Sequence, residues 1–186
     1  MVSTAGLVTA VSPAPAADAA FSVSYVALGD SYSAGLGAGS YVSSSGGCDR
    51  STNAYPEQWA GASSPASFVS VACAGATTAD VINSQVSALS AGTTLVSITI
   101  GGNDAGFSSV METCVLTSTS ACLSAVAAAK AFATTQLPAR LTSTLQAIRQ
   151  HAPNARIVLL GYPELYDLSK SGTCIGLSTQ DRTALN

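Results

Sequence analysis

The sequence predicts an α/β domain built around a parallel sheet. Three observations lead there: four short apolar runs containing β-branched residues, stretches of helical spacing between them, and turns of small residues directly after the first three runs. Strands that alternate with helices pair in parallel through right-handed crossovers, because a right-twisted strand followed by a right-handed helix packs back onto its sheet in that sense.

The first twenty residues, MVSTAGLVTAVSPAPAADAA, join an apolar stretch to small residues and an Ala17-Asp18-Ala19 pattern that a signal peptidase could cut. Pro13 and Pro15 and the shortness of the stretch argue against a membrane span. The chain therefore reads as a signal-peptide remnant or disordered leader over 1–20, followed by one domain over 21–186, in a secreted protein. The strands are expected at Tyr25 to Leu28, Phe68 to Ala72, Leu95 to Ile100 and Arg156 to Leu160. Helical spacing covers Thr78 to Leu89, through Val81, Ile82, Val86 and Leu89, and recurs at Leu141, Leu145 and Ile148 before His151. Residues 36 to 66, rich in Gly and Ser, read as a long loop tied by Cys48. Between Thr113 and Thr135 the alanines after Cys122 favour a helix, preceded by a short loop from Cys114 to Cys122.

Composition narrows the function. With 186 residues, 47% hydrophobic and 9% charged, the chain suits a single globular domain with a sizeable core. A formal charge of -3 and no Lys/Arg cluster make nucleic acid an unsuitable partner. Five cysteines in so weakly charged a chain fit an oxidising compartment, and no CxxC or CxxH spacing marks a metal site. Cys48 can reach Cys73 and Cys114 can reach Cys122, an arrangement that leaves Cys174 without a partner in the chain.

The chemistry sits at the strand ends. Gly29-Asp30-Ser31-Tyr32-Ser33 follows the first strand, Cys73-Ala74-Gly75-Ala76-Thr77-Thr78 the second, and Gly101-Gly102-Asn103-Asp104 the third. In a parallel sheet these three ends lie along one edge, where open α/β sheets place their sites, so Ser31, Gly75 and Asn103 are expected to converge. Acyl transfer needs donors aimed at an oxygen that becomes anionic, and the Ser31 N–H, the Gly75 N–H and the Asn103 amide would supply three. Each residue alone has a simpler reading, a helix cap for Ser31 and Asn103 and a turn for Gly75. Their joint occurrence favours chemistry. The surroundings of Ser31 are not G-x-S-x-G, so the elbow of α/β-hydrolases is not indicated. Gly35-Leu36-Gly37-Ala38-Gly39 lacks G-x-G-x-x-G spacing and falls too far from the strand for a nucleotide site. Tyr32, Tyr41, Tyr55, Trp59 and Phe107 are candidates to line an acyl pocket, although core positions are the commoner place for such rings.

With these residues in order, the chain resembles the GDSL/SGNH hydrolase family: GDSYS resembles its first motif, Gly75 the glycine of its second, and GGND its third. The wording around them (YVALGDSYSAG, ACAGATT, ITIGGNDAGF, GYPELY) is similar to secreted actinobacterial lipases and phospholipases of that family. The resemblance covers about residues 24 to 186. It implies a flavodoxin-like three-layer α/β/α domain that hydrolyses carboxylic esters through an acyl-serine on Ser31, with Ser31, Gly75 and Asn103 as oxyanion hole and neither metal nor cofactor. The family's general base is a histidine near the C-terminus. His151 is the only histidine here, and it ends a crossover helix, at the sheet edge opposite Ser31. This missing base and the partnerless Cys174 predict a C-terminally truncated domain, with the base and a sixth cysteine on a complementary C-terminal piece. The competing reading is a lipid- or glycan-binding module on the same scaffold that has lost catalysis.

Overall fold

The computed structural model describes residues 22–170 and 176–186. The leader over 1–20 and the partner question for Cys174 lie outside the described residues. Four strands form one parallel sheet in the order β2-β1-β3-β4, with β1 at Ser24–Gly29, β2 at Ser67–Ser70, β3 at Leu95–Thr99 and β4 at Arg156–Leu159. The chain leaves β1 to one side for β2 and returns to the other for β3, so the reversal of direction falls beside β1 and β3. That reversal opens a crevice at the carboxyl ends of the two central strands.

Alternation along the strands divides the core into two faces. Val26, Leu28, Val96 and Ile98 pack with Val81, Val86, Leu89 and Ile148, which come from α3 (Thr78–Asn83), its continuation and α6 (Leu137–His151). On the opposite face Tyr25 and Ala27 pack with Ala60 of α2 (Tyr55–Ser63), and the Tyr25 ring meets Trp59 edge-on at 5.0 Å. Helices on both faces of a parallel sheet make the three layers expected.

Three local expectations are corrected. Residues 36–66 are not all loop, because α2 lies within them: Pro56 is preset for a first helical turn and the adjacent Glu57 suits the helix N-terminus. The helical stretch from Thr78 breaks at Ser84, and Gln85–Ala88 tightens into a 3₁₀ turn. Cys114 and Cys122 are bonded to each other as expected, but the bridge does not lie in a loop ahead of a helix. They lie within α4 (Phe107–Leu116) and α5 (Thr119–Thr135) and bond the two together, since both sulfurs are buried with Val126 where the helices meet. The strand boundaries shift by one or two residues, most at β2, which ends at Ser70.

A second disulfide joins Cys48 to Cys73 across 25 residues and ties the loop before α2 to the turn after β2. Replacing both cysteines by alanine is expected to cost about 3.5 kcal/mol, the loop-closure entropy returned to the unfolded chain. Chemical denaturation of the oxidised protein and the double variant checks it.

Candidate active site

The turn after β1 is fixed before it reaches Ser31. Gly29 has φ +123, and a Cβ there would run into the Thr99 carbonyl oxygen and lie 2.6 Å from Ser33 Oγ, so only glycine fits. Gln85, buried under this turn, accepts from Gly29 N–H at 2.7 Å and donates to Gly29 C=O at 2.8 Å. A side-chain amide thus pairs both backbone groups of the residue two before the serine, much as a neighbouring strand would. Asp30 caps α1 (Ser31–Ala34), with its side chain accepting from Tyr32 N–H at 3.0 Å.

Asp30 is 2% exposed, and a carboxylate so buried needs donors on both oxygens. Oδ1 also accepts from Thr99 Oγ1 at 2.9 Å, and Oδ2 accepts from the Tyr162 hydroxyl. The Tyr162 oxygen accepts in turn from Gly102 N–H at 3.2 Å, so one phenol joins the turn after β1 to the turn after β3. Burial first, and the Asp30 carboxylate next, hold that phenol above its ordinary pKa. Behind Asp30 the hydroxyls continue inward: Thr99 Oγ1 to Ser33 Oγ at 2.7 Å, Ser33 to Tyr55 at 3.0 Å, Tyr55 to Ser97 at 3.3 Å, and Ser97 to Tyr25 at 2.6 Å. Burial pushes the Tyr25 phenol up to about 12 and raises Tyr55 as well. These phenols stay protonated in the folded protein while their unfolded counterparts ionise near pH 10. Stability is therefore expected to hold below pH 10 and to fall between about pH 10 and 12. Thermal melts across that range check it, and a melting temperature that stays level to pH 12 contradicts the assignment.

Ser31 is half-buried at the start of α1, and among the described residues neither its hydroxyl nor its N–H has a hydrogen-bond partner. It shares a cleft of about 300 Å³ with Asn103, and Tyr32, Phe107, Tyr162 and Leu165 form much of the wall. The rings of Tyr32 and Tyr162 meet edge-on at 6.0 Å. Asn103 donates from Nδ2 to Ala76 C=O at 2.8 Å, which leaves one amide hydrogen uncommitted. Asp104 accepts from Thr78 N–H at 2.9 Å and Thr78 Oγ1 at 2.6 Å, and pairs with Arg140 at 3.2 Å. These bonds lace the turn after β3 to the turn after β2. Gly75, at φ +80, sits in that second turn, its N–H also without an acceptor among the described residues, and it lines a second cleft that has no residue in common with the one shared by Ser31 and Asn103.

Of the aromatic candidates, Tyr32 and Phe107 line the Ser31 cleft, whereas Tyr55 and Trp59 border a separate apolar hollow on the sheet face and Tyr41 lies exposed. His151 is exposed at the end of α6, its Nδ1 3.0 Å from Ala147 C=O. β4 begins five residues later, so His151 stands at the amino ends of the strands, away from Ser31. The Ser31 hydroxyl and N–H, both without partners among the described residues, share their cleft with the Asn103 amide, an arrangement able to attack a carbonyl and bind the resulting anion.

Two contributors were not singled out from the sequence. Gln85 interrupts the apolar face that Val81 and Leu89 define, and a polar residue on a buried stripe is a signal for a buried hydrogen bond. Tyr162 follows the fourth strand, so the strand-end rule applied once more leads to it.

Comparison with known proteins places this geometry. The profile of the GDSL-like lipase/acylhydrolase family matches residues 27–183. Lipase 1 of Streptomyces coelicolor is 55% identical over 178 residues, which are 96% of this chain and 66% of that protein, so the chain spans just under two thirds of the relative's length. The crystal structure of phospholipase A1 from Streptomyces albidoflavus NA297 superposes with a TM-score of 0.84 at 56% identity, over 88% of this chain and 69% of that one. The extracellular lipase of Streptomyces rimosus gives a TM-score of 0.84 at 51% identity, over 88% and 70%.

Proposed function

Because this chain belongs to the GDSL-like lipase/acylhydrolase family, we propose that it is the part of a secreted carboxylic-ester hydrolase that carries the nucleophile and the oxyanion donors. The observation that carries this reading is Ser31 itself, its hydroxyl and N–H both without partners among the described residues, facing a cleft it shares with Asn103. Ser31 Oγ attacks the ester carbonyl, the alcohol leaves, and water releases the acid from the acyl-serine. The N–H groups of Ser31 and Gly75 and the free amide hydrogen of Asn103 take the charge that develops on the carbonyl oxygen. Asp30, pinned by Thr99 and Tyr162, and Gln85, pinning Gly29, hold the nucleophile's turn in place while charge moves.

The general base comes from outside these 186 residues, supplied by the remainder of the protein or by a complementary C-terminal piece, because His151 stands at the wrong edge of the sheet. The isolated chain is then expected to turn over esters very slowly, with only binding and the oxyanion donors to help. Secretion is inferred from the leader and from likeness to a lipase described as extracellular. Lipid esters are the expected substrate class, in line with relatives named lipase and phospholipase A1.

The test is a chain-length series of nitrophenyl esters, with phosphatidylcholine alongside, given to the whole protein. Release of nitrophenol and fatty acid is expected. A protein that melts normally, binds the esters and releases neither product is a binding module instead.

A further inference from the structure

Beside the cleft, the segment from Ser31 to Cys48 runs for 18 residues without an acidic, basic or histidine side chain. It is held in place. Leu36 N–H donates to Ser31 C=O at 3.0 Å, Gly37 N–H to the Tyr41 hydroxyl at 2.7 Å, and Asn53 Nδ2 to Ala38 C=O at 2.9 Å, while the disulfide from Cys48 to Cys73 closes its far end. The outer side of the tip is nevertheless open, since a side chain added at Gly37 or Gly39 would meet nothing within 4 Å. On that tip Leu36 is 55% exposed, one helical turn from Ser31, and the cleft rim adds Tyr32, Phe107, Tyr162 and Leu165, each more than 40% exposed. Its backbone bond to Ser31 sets Leu36 close to these rim residues, and several exposed apolar side chains gathered beside a cleft, unlike a single exposed leucine, are the kind of surface that meets an apolar partner.

We propose that Leu36 and the aromatic rim dock on a zwitterionic lipid surface and lay the mouth of the Ser31 cleft against it. The chain carries a net charge of -3 and offers no cationic side chain along this loop, so an anionic surface gains nothing by electrostatic attraction. Insertion is driven by apolar burial alone. A preformed loop also loses little conformational freedom when it inserts. The proposal rests on the ester-hydrolase reading for the choice of lipid as partner, and the two fail separately: docking is measured without turnover, and turnover can be followed on a soluble short-chain ester that needs no surface.

The experiment is flotation of the protein with phosphatidylcholine vesicles, repeated with part of the lipid exchanged for phosphatidylglycerol. The protein is expected to float with phosphatidylcholine, to bind no better when phosphatidylglycerol is added, and to lose at least tenfold in partitioning as Leu36→Asn. Leu116→Asn, at the far end of α4 and 71% exposed in the native protein, is the control and is expected to change nothing. Leu36→Trp is expected to bind at least as well, with a blue-shifted emission on vesicle addition that the native Trp59 alone does not give. Equal flotation of Leu36→Asn and the native protein, an equal loss in Leu116→Asn, or binding that rises with anionic lipid overturns the proposal. So does self-association in sedimentation that Leu36→Asn abolishes while flotation stays unchanged, which would make the face a contact between copies.

Discussion

Ser31→Ala is expected to lower ester turnover by the whole protein by ~10⁴-fold or more, with the melting temperature unchanged within a few degrees. The size follows from the step that disappears. Without Oγ no acyl-serine forms, and what remains is attack by water on an ester held by the oxyanion donors. The fold has little reason to respond. The Ser31 hydroxyl has no hydrogen-bond partner among the described residues, and alanine suits a first helical turn at least as well as serine. Initial-rate kinetics on a nitrophenyl ester, with a thermal melt of each protein, separate the two effects. A variant that retains a tenth of the native rate would remove Ser31 from the mechanism.

Asn103→Ala is expected to reduce kcat by ~10²–10³-fold and to move KM only slightly, because a donor aimed at an oxyanion acts most strongly after the carbonyl has begun to change. The substitution also leaves Ala76 C=O without the 2.8 Å bond it accepts, so some loss of stability, about 1 kcal/mol, accompanies the kinetic effect. The split between kcat and KM tells the roles apart. A brace that only shaped the cleft would raise KM along with any fall in kcat, whereas an oxyanion donor lowers kcat alone. Asn103→Asp sharpens the contrast, since a carboxylate of nearly equal size would repel the developing charge.

Much of this fold was legible because strands and helices have different periods. The runs around Val26, Val96 and Ile157 are short, apolar and β-branched, and each falls within a strand. The parallel arrangement followed from the alternation of elements, and with it the single sheet edge at which Ser31 and Asn103 meet. Boundaries were less legible where tertiary contacts decide them. Helix α2 hides in a Gly- and Ser-rich stretch because its buried residues, Pro56 and Ala60, are too few to print a period. Cys114 reads as loop until the burial of both sulfurs between α4 and α5 is known. The supports of the site were the least legible part. Nothing beside Asp30 in the sequence marks it as buried, and its burial becomes evident only when Thr99 and Tyr162, 69 and 132 residues away, close over it. Pairings at such separation leave no local pattern, so they emerge from the folded geometry alone.

The central claim is that Ser31 carries the acyl group. It is tested most directly by treating the whole protein with an alkyl fluorophosphonate and locating the adduct by peptide mass spectrometry. The account predicts one adduct, on the peptide containing Ser31, formed in parallel with loss of ester turnover and absent from Ser31→Ala. Loss of turnover with Ser31 unmodified, or an adduct on another serine that survives in Ser31→Ala, would contradict it.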